Sequence, residues 1–256
     1  MDKLDELKIL SDEQKPELIC CVETWLDKSH SLKEIEIKDY KCLNRLRSNK
    51  PNRGGVCIYY KKGINIEEID MPRHNKPCKC ETIWARIADN TGKKAIIALT
   101  YRSPMNDNFM DHIEEDLNYA AQLNLPIILL GDLNYDLLKD TPCKRKLTYL
   151  FDRQCMVQMI DKATRITKES QTLIDHLWTS DNDFIKDVEI LPGLSDHQLC
   201  KFKLELEHQP LKKEKFKFRK ITKNIENIVQ ELHSYDWDTM IETNDSNTAW
   251  KNYVID

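Results

Sequence analysis

Several features are scarce in this sequence, and each scarcity closes off a class of protein. No apolar stretch approaches the ~20 residues a helix needs to cross a bilayer, so a helical membrane protein is excluded and a soluble chain with no membrane partner is expected. An excess of positive charge is also lacking: 43 acidic against 39 basic residues give a formal charge of −4. Nucleic-acid binders often carry net positive charge, so a DNA partner requires the basic residues to be concentrated locally. Nine cysteines are present, but scattered, with no C-x-x-C pair and no secretory leader. His74, Cys78 and Cys80 lie close together, yet no second ligand pair with zinc spacing follows them. Reduced thiols are therefore expected, and with them a nuclear or cytoplasmic rather than secreted protein. Internal repeats and low-complexity tracts are absent as well.

What is present is length and pattern. A chain of 256 residues suits one large α/β domain with an appendage better than two full domains. Leu4, Leu7 and Leu10 recur at helical spacing, Pro16 interrupts, and Leu18 to Val22 form an apolar run, which reads as helix, turn, strand. Further strands are predicted over 54–60, 82–87, 94–101, 126–130, 156–160, 173–178 and 198–206, with amphipathic helices over 107–123 and 143–153. Strands outnumber helices and several follow one another directly, so a purely parallel doubly wound sheet fits poorly. Two mixed sheets covered by helices fit better.

After about residue 207 the pattern changes. "LKKEKFKFRKITK" (211–223) sets seven basic side chains against Glu214, and 224–256 is polar with isolated aromatics. The expected division is a domain over 1–207 and a basic, partly helical connector over 208–256. A charge run of this kind is most simply a solvated linker; lysines alternating with Phe216 and Phe218 also suit contact with a nucleic-acid backbone.

Five stretches end apolar runs with polar groups able to handle a phosphate and a cation. "PIILLGDLN" runs from an interior strand straight into Asp132 and Asn134, where a scaffold presents functional groups or where an Asx turn satisfies local amides. "CCVETWL" places Glu23 just past a strand, a carboxylate suited to a hard divalent cation or simply to a surface loop. "TYRSP" puts Tyr101 at the end of a strand, for chemistry or packing. In "TLIDHLW" Asp175 sits inside an apolar strand, and a buried carboxylate requires a partner, catalytic or structural. "GLSDHQLC" sets Asp196 and His197 before the final strand, a reactive pair or a polar loop.

Taken in order, "ETWL", "YRSP", "GDLN", "TLIDHLW" and "LSDH" resemble the endonuclease/exonuclease/phosphatase superfamily. Within it, "ETWL" and the "TRIT…TLID" segment are similar to the apurinic-type endonuclease domain of non-LTR (LINE-like), Jockey-like retrotransposons. The resemblance covers about 1–207. It implies an α+β fold, a DNase I-like four-layer α/β/β/α sandwich of two mixed sheets flanked by helices. It implies a Mg2+-dependent DNA endonuclease, with Mn2+ as an alternative ion, that nicks target DNA for integration. The connector then leads toward a reverse transcriptase domain that this chain does not contain, and a monomer is expected. Two other readings suit the same residues: a transposon-derived remnant that binds DNA or does nothing, and a repair-type nuclease or phosphoesterase of the same superfamily.

The resemblance also distributes roles. Glu23 and Asp196 would hold the metal, Asp132 would orient and deprotonate the attacking water, and Asn134 would donate amide hydrogens to the phosphate. His197, paired with Asp175, would donate to the pentacovalent transition state. Tyr101 would stand near the phosphate or leaving group, and Thr164 of "ATRIT" would touch the phosphate. Family members begin with a strand ending in an asparagine that helps arrange the metal site. This chain starts at what looks like the following helix, so that strand is expected to be encoded upstream of Met1.

Overall fold

Leu4, Leu7 and Leu10 do form one stripe of a helix, α1 (Leu4–Gln14), which stops where Lys15 turns left-handed at φ 47° and returns its N–H to the Ser11 carbonyl; Pro16 cannot continue it. The computed structural model describes residues 3–26, 31, 33–46, 54–72, 80–89, 91–104 and 108–206, with 230 and 234. The chain divides into Met1–Gln209 and Pro210–Asp256. The basic run, nearly all of the connector, His74 and Cys78 lie outside the described residues.

After α1 come β1 (Leu18–Val22), β2 (Tyr40–Arg45) and β3 (Val56–Lys61), an antiparallel sheet with β3 in the middle. A six-stranded sheet follows, built from β4 (Asn65–Glu68), β5 (Cys80–Ala88), β6 (Lys94–Arg102), β7 (Ile127–Asp132), β8 (Val157–Gln158) and β11 (Asp175–Thr179). Its spatial order is β4-β5-β6-β7-β11-β8. Every pairing is antiparallel except β6 with β7, because the connection between them carries α2 (Phe109–Gln122) and parallel neighbours need such a crossover. The apolar run of β6 is buried along both faces from Ala95 to Arg102.

The sheets stack face to face. Val56 and Ile58 of β3 meet Ile83, Leu99 and Tyr101 of the larger sheet. Leu7 of α1 packs on the opposite face of the small sheet, against Ile19, Cys57 and Tyr59. The far face of the large sheet, with Trp84, Ile96 and Leu129, is covered by Phe109, Ile113 and Leu117 of α2 and by Leu147 and Phe151 of α3 (Pro142–Arg153). Phe151 stacks on Trp178 with ring centroids 4.3 Å apart. The result is four layers, α/β/β/α, in the α+β class.

Two small hairpins complete the fold: β9 (Arg165–Ile166) with β10 (Gln171–Thr172), and β12 (Ile185–Leu191) with β13 (Leu199–Leu204). The second lays Ile185, Val188 and Phe202 over Ile97, Ile128 and Leu177. Strands β2, β4, β9, β10 and β12 carry no strong sequence signal. Edge strands such as β2 and β4 are polar, β9 and β10 are two residues long, and β12 loses its alternation at a register shift between Lys186 and Glu189, where Asp187 is left-handed. The strand expected over 156–160 shrinks to Val157–Gln158 because the Gln158 side-chain oxygen takes the Met159, Ile160 and Leu177 amides. Asp175 is the first residue of β11 rather than an interior one.

Candidate active site

Strand β7 ends at Asp132 and β11 begins at Asp175, and the two residues are Cα partners in the antiparallel register. The glycine before Asp132 is required: Gly131 has φ 135°, and a Cβ there would lie 1.8 Å from the Thr100 carbonyl oxygen. Asp132 is 3% exposed, and one carboxylate oxygen accepts the Asn134 amide at 2.9 Å. The Asx turn is therefore real, and it is the device that holds the carboxylate. Asn134 is left-handed at φ 51° and donates its side-chain amide to the Arg102 carbonyl at 2.9 Å.

His197 reaches Asp175 with Nδ1, 3.0 and 3.2 Å from the two carboxylate oxygens, which supplies the partner that Asp175 requires. The backbone beneath is stitched to the β9 segment: Gln198 donates to the Thr164 carbonyl at 2.6 Å and Ile166 to that of Asp196 at 2.9 Å. Thr164 is fully buried, and its hydroxyl oxygen accepts the amides of Ile174 and Asp175. In this arrangement Thr164 presents no surface to a phosphate; it fixes the start of β11 and so the position of Asp175.

Beyond β1 the burial alternates, with Glu23 and Trp25 exposed and Thr24 and Leu26 buried. Glu23 and Trp25 are both left-handed, at φ 51° and 55°, and the amides of Thr24 and Trp25 donate to Gly55 and Gly54 at 3.2 and 2.8 Å. The Tyr101 hydroxyl donates to the Glu23 carboxylate, so Tyr101 is found orienting that carboxylate. Asp196 pairs with Arg165, Nε to carboxylate oxygen 2.7 Å; among the described residues no hydrogen bond or ion pair joins it to Glu23.

Electrostatics follow from this crowding. Burial and the nearby charge of Asp175 push Asp132 up to about 7, against the pull of the Asn134 amide and His197, with Glu23 adding to the rise. Burial pulls His197 down, but the hydrogen bond and charge of Asp175, helped by Asp132 and Asp196, leave it raised. The Arg165 hydrogen bond holds Asp196 below the ordinary carboxylate value. His176, next in β11, is driven by burial to about 4 and stays neutral, bonded to the Tyr135 carbonyl and to the Trp178 indole. A carboxyl raised toward neutrality beside an imidazole whose hold on its proton is strengthened is an arrangement suited to acid–base chemistry.

The Endonuclease/Exonuclease/phosphatase family matches residues 2–197, most of the chain. The chain belongs to this family. Members of the family are metal-dependent nucleases and phosphodiesterases. None of the curated proteins matches in sequence. Among solved structures, the endonuclease domain of TRAS1, a telomere-specific non-LTR retrotransposon, is similar over 80% of this chain and 93% of that one, with a TM-score of 0.62 at 13% identity. The catalytic domain of Xenopus laevis APE2 is similar over 77% and 87%, with a TM-score of 0.55 at 14% identity. The human Nocturnin catalytic domain is similar over 78% and 87%, with a TM-score of 0.53 at 15% identity.

Family members use divalent metals, and the donors here fit one. The site is rich in carboxylate oxygens, the hard ligands that such ions take, and one polar atom each of Asp132, Asp175 and His197 lies within 4.8 Å of the others, next to which Glu23 and Asp196 add further carboxylates. The acidic groups that add to the effect of burial on Asp132 also favour a nearby cation. Sequence reasoning picked out the Glu23, Tyr101, Asp132, Asn134, Asp175, Asp196 and His197 positions. It did not assign roles to Trp25, Arg102 or Arg165, whose significance lies in contacts with segments distant in sequence.

Proposed function

We propose that this chain is a Mg2+-dependent endonuclease that hydrolyses a DNA phosphodiester, nicking target DNA for retrotransposon integration. The observation that carries the reading is the facing pair of Asp132 and Asp175 with His197 on Asp175: a buried base near neutral pH opposite an oriented, raised imidazole. Phosphodiester hydrolysis calls for those two groups, one to activate water and one to protect the developing charge. The fold likeness to the TRAS1 endonuclease domain supports DNA as substrate and the retrotransposon setting.

In this reading Asp132 takes the proton of the attacking water. His197 donates to the phosphorane-like transition state and is held in register by Asp175, itself seated by Thr164. Asn134 gives one amide hydrogen to the Arg102 carbonyl and has a second for a phosphate oxygen. Tyr101 fixes Glu23. Glu23 and Asp196 would hold the ion, Mg2+ or Mn2+, and when bound it supplies Lewis-acid stabilisation of charge on the phosphoryl oxygens. Trp25, exposed beside Glu23, suits stacking on a base. The protein acts as a monomer in the nucleus or cytoplasm.

The test is conversion of supercoiled plasmid to open circle by the purified chain with Mg2+, beside abasic duplex and inositol phosphates. Plasmid nicking stopped by a chelator is expected. Preference for inositol phosphates would replace the nuclease reading, and binding of DNA with no hydrolysis of any substrate would favour a remnant.

A further inference from the structure

Arg102 ends β6, one residue after Tyr101, and the residue is buried, at 7% exposure. Its guanidinium sits over the Tyr135 ring, Cζ 3.8 Å from the centroid. Nη1 donates to the carbonyls of Leu133 and Asn134 at 3.2 and 3.3 Å, and Nη2 to that of Pro104 at 3.2 Å. Asn134 answers by donating its side-chain amide to the Arg102 carbonyl. Among the described residues these partners are carbonyls and a ring, no carboxylate, and Nε has no partner. Burying a cation without a counter-ion is unfavourable, so the arrangement calls for a reason beyond packing.

The residues that the fork grips supply one. Leu133 and Asn134 form the turn that follows the proposed base, and Asn134 is left-handed at φ 51°, a region that asparagine tolerates better than most residues but that contacts from outside the turn help to hold. One nitrogen of a rigid plane, Nη1, serves two successive carbonyls while Nη2 of the same plane reaches a third; the ammonium of lysine, a point charge on a flexible stem, cannot do so in the same way. The ring beneath is itself anchored, since the Tyr135 carbonyl accepts from His176 at 2.9 Å and its ring packs against Phe109.

We propose that Arg102 is a positioning residue: its ring-backed guanidinium enforces the left-handed turn at Asn134 and thereby aims Asp132 and Asn134 at the scissile phosphate. It acts through the backbone, because its N–H groups are given to the Leu133, Asn134 and Pro104 carbonyls. The assignment of Asp132 and Asn134 rests on the nuclease reading above; the enforcement of the turn does not.

The experiment therefore has two arms, run on the full chain with Arg102→Lys, Tyr135→Leu and, as control, Arg86→Lys, whose half-buried guanidinium pairs only with Glu67 among the described residues. The first arm is hydrogen exchange at the Asn134 amide, which needs no activity. Exchange should quicken at least ~10-fold in Arg102→Lys, less in Tyr135→Leu and not in Arg86→Lys, while the Trp84 amide in β5 keeps its protection. The second arm is Mg2+-dependent phosphodiester hydrolysis. In Arg102→Lys kcat should fall by roughly 10²-fold, the loss that small misplacement of reacting groups produces. The acidic limb of kcat/KM should also move to higher pH, because the Asn134 amide that holds Asp132 down is released. Unchanged Asn134 exchange in folded Arg102→Lys overturns the proposal, as does a kcat within about threefold of wild type. If Arg102→Lys does not fold, Tyr135→Leu decides by the same two readouts. A wild-type chain that hydrolyses no phosphodiester would sink the nuclease reading while the exchange arm still judges the turn.

Discussion

Asp132 and Asp175 stand directly opposite one another across the β7–β11 pair, two carboxylates where a sheet disfavours like charges. Stability and chemistry meet in that pairing. Asp132 has an ordinary value of 3.8 and is raised to about 7 in the folded chain, chiefly by burial and then by Asp175. A carboxyl raised on folding favours the fold while protonated, and that contribution is lost as pH climbs from about 4 to about 7.

The first prediction is that Asp132→Asn removes hydrolysis and stabilises the domain at pH 8, by as much as about 4 kcal/mol on the usual conversion of such a shift. His176 works in the opposite sense: lowered on folding from 6.5 to about 4 by burial, it contributes stability that is complete above about 6.5 and lost as pH falls toward 4. The wild-type stability curve should be shallow between pH 4 and 7, and that of Asp132→Asn should rise with pH. Urea unfolding across this range measures both; a mutant no more stable than wild type at pH 8 would contradict the buried, raised carboxyl.

A second prediction concerns rate. With Asp132 as base and His197 as donor, kcat/KM should rise through about pH 7 and fall again as His197 deprotonates. Asp175→Asn withdraws the charge that raises Asp132 and the partner that raises His197. Both limbs should move to lower pH, and the rate should drop at least ~10²-fold. Limbs that stay in place would remove Asp175 from the acid–base pair.

The apolar runs of β6 and β7 were legible because a strand buried on both faces is nearly continuous in hydrophobic residues. Asp132 stood out as a polar residue at the end of such a run, Asp175 as a carboxylate in an apolar strand that it in fact begins, and His197 as half of a polar pair before the final strand. Arg102 was not legible, since two of its three carbonyl partners lie more than thirty residues away along the chain, a relation that no local pattern encodes. Thr164 was found but in another capacity: its hydroxyl is occupied by the Ile174 and Asp175 amides. Strand β12 escaped notice because Asp187 breaks its alternation.

A third prediction isolates the glycine at the strand end. Gly131 and Gly63 both have positive φ, 135° and 106°, but a Cβ at Gly63 meets nothing within 4 Å while one at Gly131 meets Thr100 backbone at 1.8 Å. Backbone in the middle of a sheet cannot retreat. Gly131→Ala should therefore lose at least ~2 kcal/mol more stability than Gly63→Ala, together with hydrolysis. Equal losses in chemical denaturation would show that the β6–β7 contact yields.

A fourth prediction separates stacking from charge in DNA binding. Trp25 is 52% exposed in a backbone pinned by Gly54 and Gly55, and base stacking contributes ~1–3 kcal/mol per base. Trp25→Ala should weaken binding roughly 5- to 100-fold with an unchanged salt slope, and Trp25→Phe should recover most of it. Glutamine replacements in the 211–223 run should instead reduce the slope by about one for each phosphate that the run ceases to neutralise. An unchanged slope there would make the run a solvated linker.

The last prediction sets Arg165 against the cation. Arg165 and Asp196 are both 43% exposed in their side chains and 2.7 Å apart, and an exposed pair of this kind contributes only ~0–1 kcal/mol to stability. Arg165→Gln should leave folding nearly unchanged. If Asp196 is a ligand, an incoming ion competes with the guanidinium for the same oxygens, and removing the competitor should tighten Mn2+ binding about two- to fivefold, the affinity equivalent of that pair energy. The gain should shrink toward pH 4, because without Arg165 the Asp196 carboxyl returns to its ordinary range and protons compete in turn. Calorimetric titration of Mn2+ at pH 7 and pH 5 reads both effects, with Arg165→Gln/Asp196→Asn as the reference in which the gain should vanish. Binding that is unaltered by Arg165→Gln would confine Asp196 to its ion pair and leave Glu23 as the carboxylate that holds the metal.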